Sequence, residues 1–298
     1  MISPIFRSLR PKLWIKNFFL FVPLIFSEKK LLCSWENWLT LLAGFAIFCG
    51  LSGAVYVLND IIDLASDRIH PVKCNRPIAS GLLSVKEAKA ALLLILFICL
   101  FAAWNISALF FSLALGYFIL NLAYCLKLKK IAIIDVLCFG IGYILRTLAG
   151  IGVLKLINID LQISNSLLIA IFFFAVFLAL IKRRQDILIT ENKAVLRRKE
   201  YTFYTIDYID QITSIIAGLT ILFYAIFVLN IEKTTAFTSS NLIYTLPLII
   251  YIILRYLLLI HNDEENELAS DLTFKDKPLI ACGILWILSV IAINLALI

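Results

Sequence analysis

Residues 59–81 read Asn-Asp-Ile-Ile-Asp-Leu-Ala-Ser-Asp-Arg-Ile-His-Pro-Val-Lys-Cys-Asn-Arg-Pro-Ile-Ala-Ser-Gly. Three carboxylates, Asp60, Asp63 and Asp67, stand at i, i+3 and i+7. On a continuous helix that spacing puts them on one face, where like charges repel unless a cation neutralises them. Hard carboxylate oxygens suit Mg²⁺, which keeps several waters and binds substrate phosphates as well. His70, Lys73 and Arg76 follow within nine residues, and Lys and Arg side chains suit those same phosphates. The chemistry indicated is metal-assisted handling of a phosphate or diphosphate. Asp60, Asp63 and Asp67 are the candidate metal-holding and catalytic residues, and Asn59 is a candidate to orient the metal shell. A solvated loop with a helix cap would leave all six of these charged or titratable side chains to coincidence.

The motif follows directly on an apolar run, where a membrane-crossing helix would leave the bilayer. Of the 298 residues, 62% are hydrophobic, and the mean hydropathy is +0.98. Soluble domains are not that apolar. An all-α, polytopic membrane protein is expected, a single domain over 1–298 with about nine spans of roughly 20 residues. The spans fall at about 13–31, 38–59, 88–104, 107–126, 132–152, 165–181, 211–230, 241–260 and 278–297. The first is the weakest, because it holds Lys16, Asn17 and Pro23. No small-residue cleavage site follows it, so it is expected to be retained. The seven cysteines lie mostly inside apolar runs with no CxxC spacing and read as small packing residues. Two histidines exclude a multi-histidine metal or haem site.

Charge sets the expected orientation. With the N-terminus cytoplasmic, residues 1–16, 59–89, 125–131, 182–210 and 261–277 face the cytoplasm and hold 21 of the 27 Lys and Arg. Lys29, Lys30, Lys155 and Lys233 face the other side, and Arg146 and Arg255 lie within spans. By the positive-inside rule this places the N-terminus and the active site on the cytoplasmic face of the inner (plasma) membrane.

Other cytoplasmic residues compete for roles. Lys127, Lys129 and Lys130 end the fourth span and serve either as topology anchors or as phosphate contacts, and Tyr124 beside them is a membrane-interface aromatic and a candidate substrate contact. Lys182, Arg183 and Arg184 leave the sixth span, with Asp186 close behind. They suit anionic lipid or a substrate phosphate, and Asp186 is either an i,i+3 partner of Arg183 or a further metal ligand. Arg197, Arg198, Lys199, Tyr201, Tyr204 and Tyr208 continue that basic, aromatic stretch. The acidic run from Asp263 to Asp271 reads as a solvated turn. Asp135 and Arg146, about 16 Å apart along a helix axis, share a face of span five. An intramembrane arginine is by default a functional candidate facing the bundle interior, against which stands a structural contact to a neighbouring carbonyl. Arg255 lies near a helix end and can snorkel.

With these residues in view, the chain resembles the UbiA-type superfamily of membrane prenyltransferases, whose NDxxDxxxD signature matches Asn59, Asp60, Asp63 and Asp67. Within it, the chain is most similar to the decaprenyl-phosphate phosphoribosyltransferase branch. That similarity rests on Arg10-Pro-Lys-Leu-Trp-Ile-Lys-Asn17, on His70-Pro-Val-Lys73 with Arg76-Pro-Ile-Ala79, on Tyr124 with Lys129, on Leu145-Arg146, and on Lys182-Arg-Arg184. The resemblance implies nine helices around a central cavity that opens to the cytoplasmic side, and a Mg²⁺-bound diphosphate at the aspartates. One departure is that only Asp186 stands where many members carry a second aspartate-rich motif. Asp276 corresponds to an acidic position of the branch near its last span.

The implied reaction moves 5-phosphoribose from 5-phosphoribosyl 1-diphosphate to a polyprenyl phosphate with release of diphosphate. The implied partners are these two substrates, Mg²⁺ and the bilayer. A second copy of the chain is a further candidate partner, and nucleic acid is not one. Two alternatives stand beside it. A UbiA-type prenyltransferase would move a prenyl group from prenyl diphosphate to an aromatic acceptor; the HPxK…RPIA extension and the basic density after span six favour the sugar donor instead. A transporter would place its carboxylates near the bilayer midplane, whereas these lie at its edge.

Overall fold

A computed structural model describes residues 3–70, 72–157, 159, 161–191, 204–234, 240–261 and 276–295. Arg197, Arg198, Lys199, Tyr201 and the acidic run from Asp263 to Asp271 lie outside them. Among the described residues there is no strand, and eight helices are long and apolar enough to cross a membrane. The protein is a multi-pass, all-α membrane protein.

The chain forms two compact units. One comprises Met1–Pro23, Ser34–Cys138 and Gly142–Leu161, the other Leu24–Cys33, Phe139–Ile141 and Gln162–Ile298. The first unit begins with a short helix α1 (Pro4–Ser8) and an eleven-residue 3₁₀ stretch, Pro11–Phe21. The sequence suggests a continuous span over about 13–31, but the chain runs through this 3₁₀ stretch and two single turns, Val22–Ile25 and Lys29–Leu32. Prolines at 11 and 23 each remove a backbone donor. Asn17 faces inward to donate to Ser52 Oγ at 3.1 Å and Cys49 Sγ at 3.4 Å. Two glycines of the long helices let this N-terminal segment approach closely. A Cβ at Gly150 would sit 2.0 Å from the Leu20 carbonyl oxygen, and one at Gly53 would sit 2.8 Å from Leu9 Cδ2.

Four long helices complete this unit: α2 (Trp35–Ile62), α4 (Val85–Ile106), α5 (Ala108–Leu126) and α6 (Ile134–Leu154), with the short α3 (Leu64–Ile69) after α2. The start of α4 is fixed by a capping box: Ser84 Oγ accepts from the Glu87 N–H while the Glu87 carboxylate accepts from the Ser84 N–H. Leu93, Phe97, Phe101 and Trp104 form an exposed apolar stripe on α4, as a lipid-facing helix requires. The opposite face packs Ala88 and Leu92 with Ala54, Val57, Ile78 and Leu83. That cluster pins the 70–84 connection to α2 and α4. Within the connection, His70 Nδ1 accepts from the Val72 and Lys73 N–H groups, and Leu83 donates to the Pro77 carbonyl. Gly81 takes φ of +82°, which suits a residue without Cβ.

The second unit contains α7 (Asn165–Glu191), α8 (Ile206–Thr234), α9 (Leu246–His261) and α10 (Lys277–Asn294). Phe177 and Ile181 of α7 pack with Ala217, Ile253 and Ile260. Asp276 caps α10 by accepting from the Leu279 N–H at 2.8 Å and pairs with Arg255 at 2.8 Å. The Arg255 hydrogen bond holds the Asp276 carboxyl below the usual carboxylate range.

Candidate active site

The aspartate motif lies where α2 gives way to α3. The helix pauses at Asp63, which has φ of −87° and ψ of 5° and serves as the C-cap of α2 and the N-cap of α3. The i, i+3, i+7 spacing suggests one face of one helix, yet the pause at the middle carboxylate divides the set. Asp60 and Asp67 share one cation, and Asp63 pairs with another.

Arg76 Nη1 donates to Asp60 Oδ1 at 3.0 Å and to Asp67 Oδ2 at 2.5 Å. One cationic nitrogen thus stands between two carboxylates that are only 2% and 1% exposed. Arg10 Nη2 donates to the same Asp60 Oδ1, and its guanidinium lies 5.0 Å from the Tyr56 ring centroid. Burial lowers the pKa of the Arg10 guanidinium, the nearby Asp60 carboxylate opposes that, and Arg76 adds to it. Lys129, on the 3₁₀ turn Leu128–Lys130 after α5, donates to Asp63 Oδ1 at 2.5 Å. Asn59 Oδ1 lies 3.5 Å from Cys125 Sγ. Each of the three carboxylates is thus matched to at least one basic side chain.

Of the residues singled out in the sequence, Asp60, Asp67 and Arg76 form one contact group, and Asp63 joins Lys129. Lys73 and His70 lie on the adjoining connection, both half-buried, with Lys127 exposed and Tyr124 half-buried at the end of α5. Sequence reading missed Arg10 as a site residue. It lies 50 residues from Asp60, and its one signal was membership of the Arg10–Asn17 stretch.

Arg146 is 6% exposed, inside the first unit. Its Nε donates to Asn17 Oδ1 at 3.0 Å, Nη1 to the Gly142 carbonyl at 3.1 Å and Nη2 to the Tyr117 hydroxyl at 2.6 Å. The rings of Tyr117 and Tyr143 lie 4.6 and 5.3 Å from its Cζ. Asp135, on the same helix, is not among these partners. The guanidinium therefore ties the 3₁₀ stretch, α5 and α6 together through neutral groups.

Lys182, Arg183, Arg184 and Asp186 lie on α7 in the second unit. Arg184 pairs with Asp210 at 2.7 Å and donates to the Ile260 carbonyl at 3.3 Å. Lys182 Nζ lies 5.9 Å from the Phe139 ring centroid.

No three His, Cys, Asp or Glu side chains among the described residues form a ready cation cage. The donor set nevertheless fits Mg²⁺. Two buried carboxylates already face a common cationic atom, and Asp67 Oδ1 is buried without a hydrogen-bond partner. A buried carboxylate oxygen left unsatisfied is costly, and an oxygen-seeking ion would satisfy it.

The UbiA prenyltransferase family model matches residues 20–275. The chain belongs to this family. It is a transferase, as UbiA proteins are. It is similar to the decaprenyl-phosphate phosphoribosyltransferase of Corynebacterium glutamicum, with 28% identity across 96% of this chain and 85% of that protein. It is also similar to the protein of that name from Mycolicibacterium smegmatis, with 26% identity across 96% of this chain and 91% of that one. Among solved structures, a UbiA homologue from Archaeoglobus fulgidus bound to DMAPP and Mg²⁺ superposes with a TM-score of 0.73, at 20% identity, over 99% of this chain and 98% of that one. That likeness establishes the UbiA fold.

Proposed function

We propose that the protein transfers 5-phosphoribose from 5-phosphoribosyl 1-diphosphate to a polyprenyl phosphate of the decaprenyl type, dependent on Mg²⁺. The observation that carries the reading is the Asp60–Arg76–Asp67 bridge, which sets metal-binding oxygens beside a phosphate-binding guanidinium. The end-to-end similarity to two proteins named phosphoribosyltransferase supports the choice of sugar donor over prenyl donor. The excess of Lys and Arg in alternate loops supports a site on the cytoplasmic face of the plasma membrane.

Asp60 and Asp67, with Asp63 beside them, would hold Mg²⁺, which supplies charge neutralisation for a departing diphosphate. Arg76 and Lys73 bind the donor's diphosphate, and Lys129 is placed to do the same once Asp63 releases it. These fixed cations stabilise charge that builds on the leaving oxygen as its bond to ribose C1 breaks. An oxygen of the polyprenyl phosphate forms the new bond to C1, and diphosphate leaves. The attacking phosphate is already anionic, so no strong base is needed. What the protein supplies is positioning and electrostatic stabilisation.

The test is purified protein with labelled 5-phosphoribosyl 1-diphosphate, Mg²⁺ and a series of polyprenyl phosphates. Diphosphate release that requires the lipid phosphate is the expected result. Release from geranylgeranyl diphosphate with an aromatic acceptor, and none from the sugar donor with any polyprenyl phosphate, would replace this reading with the aromatic prenyltransferase.

A further inference from the structure

We infer that Arg10, carried by the N-terminal segment, is a diphosphate-binding residue that exchanges Asp60 for the donor's leaving group. The inference rests on the reading above only in requiring a metal-bound diphosphate at the aspartates.

Two guanidiniums converge on Asp60 Oδ1, one from Arg10 and one from Arg76. Asp60 is one of the two carboxylates facing the position argued for the metal. When its oxygens serve a metal ion, Arg10 loses its anionic partner. The guanidinium remains against the Tyr56 ring, 5.0 Å from its centroid, so it is held in place while that partner changes. A half-buried arginine next to a metal site then has one new anion within reach, the diphosphate that enters with the metal. Arginine suits the task because its fork of N–H donors meets phosphate oxygens in pairs.

The backbone supports a dedicated role. Arg10 has φ of 52° and ψ of 64°, a left-handed conformation that non-glycine residues avoid. It precedes Pro11, which restricts it further. Strain of this kind persists where surrounding structure imposes it, and it clusters at functional sites. Here the segment is fixed on both sides of Arg10. Before it, Leu9 packs into the space over Gly53 and its carbonyl accepts from Trp14 Nε1 at 3.1 Å. After it, Asn17 donates to Ser52 at 3.1 Å. The Leu9–Gly53 and Asn17–Ser52 contacts both act on α2, the helix that leads into the carboxylates. The N-terminal stretch therefore delivers one guanidinium to the aspartate motif, besides contributing to topology.

The experiment is calorimetric titration of the purified full-length protein with inorganic diphosphate at saturating Mg²⁺, and separately with Mn²⁺ alone followed by its spin resonance. Arg10→Ala should weaken diphosphate binding about 10- to 100-fold, the scale of one charge-assisted contact. The same variant should bind Mn²⁺ alone at least as tightly as the parent, because one competitor for Asp60 is gone. Arg10→Lys keeps the charge but not the fork and should show a smaller loss of diphosphate affinity. It decides the matter where Arg10→Ala does not fold. Diphosphate affinity within twofold of the parent in a folded variant overturns the inference. So do equal losses for metal and diphosphate, which would make Arg10 a positioning residue for Asp60. Inorganic diphosphate carries neither sugar nor prenyl group, so the outcome is separable from failure of the phosphoribosyl assay.

Discussion

Arg146 offers a prediction in which structure and function pull apart. Replacing it by Met preserves length and apolar packing but removes three donated hydrogen bonds. The Gly142 carbonyl sits within a helix and keeps a backbone partner. Asn17 Oδ1, in a buried residue, does not, whereas the Tyr117 side chain keeps a hydrogen bond with Asn121. One buried polar atom left unsatisfied costs about 1–3 kcal/mol. Relief of the desolvated guanidinium offsets part of that, so a net destabilisation of about 1–2 kcal/mol is expected. Arg146→Lys has a single point donor in place of a three-armed one, and should recover less than half of it. A double-mutant cycle with Asn17→Ala should show coupling of about 1–2 kcal/mol. Reversible unfolding in detergent mixtures gives these quantities directly. Arg146→Met protein within about 0.5 kcal/mol of the parent, yet without turnover, would refute the structural role and make Arg146 a substrate group.

Asp60→Asn and Asp67→Asn each keep the side-chain shape, and should cut turnover by about 10²-fold or more while the protein still folds; turnover within threefold of the parent removes them from the metal shell. Gly150→Ala should destabilise the fold by about 1–3 kcal/mol, because its Cβ would meet the Leu20 carbonyl at 2.0 Å; an unchanged melting temperature would contradict that packing. Cys33 is exposed and Cys74 half-exposed. In variants that keep only one of them, an impermeant maleimide applied to intact cells should reach Cys33 and not Cys74, and the reverse pattern would invert the orientation.

Most of the helices were legible because apolar runs of the right length have one stable solution in lipid. The segment from Pro11 to Leu32 was not. Hydropathy counts its Leu, Phe and Ile residues but cannot register that two prolines and an inward-facing Asn17 favour a tighter, broken path. The aspartate cluster was legible in its residue types and in Arg76, which lies only 9 residues from Asp67. The pause at Asp63 was not, since a single cap residue inside an otherwise helical run leaves no periodic trace. Neither Arg10 nor the pairing of Lys129 with Asp63, 66 residues away, could be read from local spacing. Those contacts exist only because α2 packs against the N-terminal segment and the end of α5 brings its lysine alongside.

The pairing of each carboxylate with a basic side chain has a consequence for biogenesis. A charged side chain entering the bilayer region unpaired is expensive, and α2 carries Asp60 at its very end. Arg10 is already synthesised when Asp60 emerges, 50 residues later, and Arg76 follows 16 residues after that. Asp63 meets Lys129 only when the chain has grown 66 residues further. The basic partners are thus made in the order Arg10, Arg76, Lys129, so these ion pairs close from the start of the motif outward and the last one joins only after α5 is complete.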